Sequence, residues 1–185
     1  MVIHQNKDYF NEKKGLIFDL DGTLVDSMMH WRSVNWSTTT LEEVYKTLMI
    51  DLYKTSIPLK RDALEALQKF TQLGYKCCIA TATRTSVCFP CVERLGLTDY
   101  IDFVMCCEDV GKSKIHPDIY LEAAKRMGLD KSETIVFEDQ FYAAETAKNA
   151  GFTVVAIHDK QSEKDSDKLR TIADDYIHYY SEIFA

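Results

Sequence analysis

Short apolar runs alternate with longer amphipathic stretches along most of the chain. The runs Leu16 to Leu20, Lys76 to Ala80, Phe103 to Cys106, Thr134 to Phe137 and Thr153 to Ile157 have the length and branched content of buried strands. Between them, helical stretches close at Leu73-Gly74, Leu95-Gly96, Met127-Gly128 and Ala150-Gly151, where a glycine accepts the left-handed conformation that ends a helix. Strand and helix alternate from residue 60 to the end of the last run, which predicts a parallel sheet covered by helices on both faces. The predicted fold class is α/β.

Residues 27 to 57 interrupt this rhythm. Two helical stretches, Met28 to Trp36 and Leu41 to Tyr53, stand between the first strand and the helix that starts near Leu59. Thr40 followed three residues later by Glu43 reads as a capping box and starts the second of them. The chain therefore divides into a core, 1–26 with 58–185, and a short helical cap at 27–57. Trp31, Trp36, Met28 and Met29 are expected to pack that cap against the core. After Ile157 a charged segment predicts a loop and a surface helix, followed by an aromatic tail from Tyr176 to Phe184.

Composition narrows the function. Against 22 Lys and Arg stand 29 Asp and Glu, so the net charge of −7 leaves no basic excess to drive binding to nucleic acid or an anionic membrane and argues against both. No run approaches the roughly 18 apolar residues of a membrane span. The polar beginning lacks the apolar core of a signal peptide, and the expectation is a cytoplasmic protein. The adjacent pairs Cys77-Cys78 and Cys106-Cys107 read as small hydrophobes directed to opposite faces of strands. Cys88 and Cys91 form a C-x-x-C after a strand, the one arrangement compatible with redox chemistry.

Ligands of an open parallel sheet sit beyond the carboxyl ends of its strands. Asp19-Leu20-Asp21-Gly22-Thr23 follows the first strand, Thr81-Ala82-Thr83 the second and Glu138-Asp139 the fourth. Lys114 lies after the third, just ahead of Pro117, which starts a helix. Two carboxylates about 4 Å apart repel by roughly 4 kcal/mol at an effective dielectric near 20, so a rim of four needs a cation. Hard oxygen donors favour Mg²⁺. One lysine and one divalent ion among carboxylates and hydroxyls suit a phosphoryl group, with Arg84 as a further phosphate contact.

These segments, D-L-D-G-T-L-V-D-S at Asp19, then Thr81, Lys114 in K-I-H-P-D, and Glu138-Asp139, resemble in order and spacing the four motifs of the haloacid dehalogenase-like superfamily. The likeness is to its phosphatase and phosphoglucomutase-like members, which carry a helical cap on a Rossmann-like doubly wound sheet. It implies Asp19 as nucleophile and Asp21 as general acid and base. Thr81 and the N–H of Ala82 would hold phosphoryl oxygens, and Lys114 would offset charge. Asp19, the Asp21 carbonyl, Asp139 and, more weakly, Glu138 would hold Mg²⁺. The implied activity is hydrolysis of small organic phosphomonoesters through an aspartyl-phosphate. Phosphomutase chemistry and a phosphoacceptor or non-catalytic binding domain are the alternatives. The chain departs from the pattern at Gln140, where Ser is usual, at Ala143, where Gly is usual, and in the shortness of the cap, which predicts weak substrate selectivity. The implied partner is a small phosphate ester, with neither nucleic acid nor membrane; the sequence does not fix an oligomeric state.

Overall fold

The computed structural model describes residues 7–184. Six parallel strands form one sheet: β1 (Gly15–Phe18), β2 (Lys76–Thr81), β3 (Phe103–Cys106), β4 (Thr134–Glu138), β5 (Thr153–Ile157) and β6 (Asp175–Ile177). Their order across the sheet is β3-β2-β1-β4-β5-β6. Winding runs outward from β1 through β2 to β3, then restarts on the other side of β1 with β4. That reversal opens a crevice beyond the carboxyl ends of β1 and β4, where the adjacent crossovers lie on opposite faces of the sheet.

Pleating distributes the strand side chains between two cores. Leu16, Phe18, Cys77, Ile79, Ile135, Phe137, Val155 and Ile157 face one side, where α4 (Ala63–Gln72) and α5 (Thr85–Arg94) cover them. Ile17, Cys78, Ala80, Val136, Val154 and Ala156 face the other, under α7 (Asp118–Met127), α8 (Phe141–Asn149) and α9 (Ser166–Ile172). Cys77 and Cys78 thus lie in different cores, as the pleat requires. Cys107 does not continue a strand; it opens the short helix α6 (Cys107–Val110).

The inserted segment holds α1 (Met28–Arg32), α2 (Leu41–Val44) and α3 (Ile50–Thr55), with a π-helical turn over Tyr45–Met49 joining the last two. Thr40 and Glu43 form the expected capping box. The first stretch stops at Arg32 rather than reaching Trp36, because the chain turns at Asn35, whose side-chain oxygen accepts from the amide and the hydroxyl of Ser37. The two ends of the insert lie side by side: Val25 bridges Leu59, Asp26 donates to the Pro58 carbonyl at 2.9 Å, and Lys60 to that of Leu24 at 2.8 Å. The strand β6 stands where the sequence predicts only an aromatic tail. Three residues are too few to display a period, and their place is decided by pairing with β5 and by Lys7 and Tyr9, which both donate to Asp175. Among the described residues no helix is long and apolar enough to cross a membrane.

Candidate active site at the sheet switch point

Asp19 follows the last residue of β1 and Asp139 the last residue of β4, so the register of this pair brings their carboxylates to one place. Gly22 permits the close approach. It sits at φ +90°, and a Cβ there would lie 2.6 Å from the Asp139 carboxylate. Asp19, Glu138 and Asp139 are all buried, and one oxygen from each falls within 4.8 Å of the others.

Three buried carboxylates this close cannot all be ionised without a counter-charge. Burial pushes the Asp19 carboxyl well above its ordinary range, with Glu138 adding to the rise and Lys114 opposing it. Asp139 is pushed up to about 8, again by burial first and then by Glu138 and Asp159. Lys114 is 3% exposed; burial disfavours its charge, but Asp19 and Glu138 outweigh that and hold the ammonium well above its usual value. It donates to both, at 2.6 Å in the case of Glu138.

Hydrogen bonding separates the four acidic residues. Glu138 is saturated: Oε1 accepts from Lys114 and from the Tyr120 hydroxyl at 2.9 Å, and Oε2 from the amides of Asp139 and Gln140. Its carboxylate therefore orients Lys114 and the β4 turn, and is the least available of the three for an ion. Asp139 accepts from Thr23 at 3.2 Å on Oδ1, and from Gln140 and Ser162 on Oδ2. Asp21 stands apart from this cluster. Its Oδ1 accepts from Ser27 at 2.5 Å and from the Tyr53 hydroxyl, and its Oδ2 from Thr83 at 2.7 Å.

Above Asp19 and Asp21 lies a cavity of about 290 Å³. Ala82, Thr83, Lys114, Glu138 and Gln140 complete its floor, and Met28, Trp31, Leu41, Tyr45 and Tyr142 form its walls. Thr81 is fully buried beneath, with Oγ1 accepting the Thr83 amide at 3.0 Å. Arg84 does not line the cavity. Its guanidinium pairs with Glu108 and Glu42, each at 2.6 Å. Met28 and Trp31 reach the cavity while Met29 and Trp36 stay more than half exposed, so the expected packing of all four on the core is met only in part.

Sequence reasoning did not single out Ser27, Tyr53, Thr83, Tyr120 or Ser162 as site residues. Ser27 and Thr83 stand in or beside the quoted motifs and were within reach of that reasoning. Tyr53, Tyr120 and Ser162 come from segments whose approach depends on the packed fold. Gln140, standing where the resemblance has Ser, donates through its side chain to Asp139 and to Ser162.

Fold and site place a buried acidic cluster and its lysine at the carboxyl rim of a doubly wound α/β sheet. The chain belongs to the haloacid dehalogenase-like hydrolase family, whose model matches residues 28–157. A ribulose-1,5-bisphosphate 5-phosphatase of Halopiger xanaduensis is 29% identical over 62% of this chain, a span that is only 48% of that protein's length. The fructose-1-phosphate phosphatase YqaB of Escherichia coli is 24% identical over 77% of this chain and 95% of its own. Among solved structures, CbbY from Rhodobacter sphaeroides in complex with phosphate superposes with a TM-score of 0.76 at 17% identity, over 92% of this chain and 96% of that one, a likeness of fold.

Proposed function

We propose that this chain hydrolyses small organic phosphomonoesters through an aspartyl-phosphate on Asp19, with Mg²⁺ bound beside it. The observation that carries this reading is the buried Asp19 carboxylate flanked by Lys114 on one side and by Asp139 on the other, opening to a cavity of about 290 Å³. The phosphatase names of relatives support it.

Asp19 attacks phosphorus; its oxygen forms the new P–O bond as the bond to the leaving alkoxide breaks. Asp21 is placed to supply a proton to the departing alkoxide and afterwards to take one from the water that attacks the phosphoryl group and frees Asp19. Ser27, Tyr53 and Thr83 hold the Asp21 carboxyl in place for both transfers. Lys114 neutralises charge shared between Asp19 and the phosphoryl oxygens, while Thr81 and the Ala82 amide bind those oxygens. Asp19 and Asp139, with the Asp21 carbonyl, are the groups that would hold the ion; Glu138 keeps Lys114 aligned. Hard oxygen donors, too crowded to ionise unaided, fit Mg²⁺, which supplies electrostatic stabilisation of the transferring phosphoryl group. Leu41 and Tyr142, 45% and 46% exposed, leave the mouth open to water, which favours hydrolysis over retention of the phosphoryl group in a mutase.

Phosphate release from p-nitrophenyl phosphate tests the reading. Wild type with Mg²⁺ should turn over, chelator should stop it, and Asp19→Asn should lose at least a thousandfold in kcat. Turnover by Asp19→Asn near the wild-type rate would reject the mechanism.

A further inference from the structure

Resting on the phosphatase reading, we propose that the cavity selects phosphomonoesters of flat, apolar alcohols, of the benzyl phosphate type, over phosphorylated sugars. The structure divides the cavity by chemistry. Its charged groups and the Thr83 hydroxyl lie on the phosphoryl floor, and the space left for the leaving group is bounded by Met28, Trp31, Leu41, Tyr45 and Tyr142, whose polar side-chain atoms besides the Trp31 indole nitrogen are two phenol hydroxyls. Trp31 presents a ring rather than a donor. Its indole N–H is given to the Tyr53 hydroxyl at 3.3 Å, and the ring is stacked at 9° to Trp36 and set edge-on to Tyr45.

A sugar arriving here would meet only the Tyr45 and Tyr142 hydroxyls in the walls as replacements for the several partners it leaves in water, and each unmatched group weakens its binding. Thr83 spends its hydroxyl hydrogen on Asp21, and the Gln140 amide nitrogen is engaged by Asp139 and Ser162. A second phosphate or a carboxylate fares no better. Among the described residues Lys114 is the one basic side chain lining the cavity, and it is buried between Asp19 and Glu138. Arg84 lies 5.3 Å from the Tyr45 ring, and it is neutralised by Glu42 and Glu108. A neutral ring, by contrast, gains from desolvating carbon against Trp31 and Tyr45. The volume of about 290 Å³ suits a phosphoryl group plus one ring.

The test compares kcat/KM with Mg²⁺ for benzyl phosphate, glucose 6-phosphate and glycerol 1-phosphate, all esters of primary alcohols. Benzyl phosphate should lead both others by at least tenfold. Leu41→Asn and Tyr142→Ser, at exposed positions that tolerate polar residues, should each shrink that lead severalfold through KM. Equal or better turnover of glucose 6-phosphate would overturn the selectivity while leaving the phosphatase reading intact. Absence of turnover on all three would reject the phosphatase reading alone, because binding reports the walls separately. Trp31 and Trp36 are the chain's two tryptophans, so their fluorescence reads this region. Benzylphosphonate, which has no ester bond to break, should quench it at a tenfold lower concentration than glycerol 1-phosphate. Equal midpoints would overturn the selectivity.

Discussion

Cys88 and Cys91 show how burial settles a chemistry that spacing leaves open. Both lie on α5 and both are fully buried. Burial pushes the Cys91 thiol up to about 11 and the Cys88 thiol higher still, so neither supplies thiolate near neutrality. The Arg94 side chain beside Cys91 is directed to the carbonyls of Tyr53 and Ile57 and serves to anchor the insert. Brief alkylation of the native protein at pH 8 should therefore reach Cys107, the one half-exposed cysteine, and spare Cys88 and Cys91. Peptide mapping checks this, and rapid modification of the α5 pair would revive the redox reading.

At the scale of elements, the helical run from Leu41 to Thr55 carries Tyr45 to the cavity wall and Tyr53 to Asp21. In a regular α-helix positions four apart drift by about 40°, so Tyr45, Met49 and Tyr53 share one face but fan across it. The π turn over Tyr45–Met49 has more residues per turn and offsets part of that drift, and all three side chains are buried. The insert thereby contributes a hydrogen bond to the proposed acid as well as a wall. Tyr53→Phe should slow hydrolysis of benzyl phosphate about tenfold, because its alkoxide needs a proton from Asp21. p-Nitrophenyl phosphate, with a stable leaving group, should lose less than twofold. Equal losses on the two esters would show that Tyr53 has only a packing role. The cap end of the same run is independent of the chemistry: Thr40→Ala removes the side-chain acceptor of the Glu43 amide, leaves the residue-40 amide on the Glu43 carboxylate, and should cost about 1 kcal/mol of stability, measured by denaturant titration.

For the molecule as a whole, the acidic cluster couples stability to pH and metal. Asp139 holds its proton to about pH 8 in the folded protein, against 3.8 for an unperturbed aspartate. Between those values the native state binds more protons than the unfolded chain, so stability without metal falls as pH rises through this window and levels off above it. A divalent ion bound there, as proposed, would stand in for those protons. Mg²⁺ should therefore raise the melting temperature, and by more at pH 8 than at pH 6, since fewer protons must be displaced. Thermal melts with Mg²⁺ and with chelator across this range check both signs. A chelator curve that rises from pH 6 to pH 8 would contradict the clustered carboxylates.

Local chemistry in the sequence sufficed for the α/β class, five of the six strands, the glycine helix ends and the Thr40 capping box. Each depends on side chains a few positions apart, and alternation or a positive-φ glycine carries the same meaning wherever the sheet later packs. Asp19, Asp21, Lys114, Glu138 and Asp139 were legible for a related reason: strand ends of a parallel sheet share a rim whatever the loops between them do. Tertiary structure alone decided the rest. The sequence separates the four acidic residues only through the family resemblance; the donors that saturate Glu138 and turn Asp21 away from the cluster come from Tyr120, Tyr53 and Thr83, up to 62 positions away. Arg84 reads as a phosphate contact until Glu42 and Glu108 are brought to it, and β6 has too little sequence to signal a strand until β5 offers an edge. Such roles depend on which neighbours compete for a side chain's hydrogen bonds and charge, and those neighbours are assigned only when the chain packs.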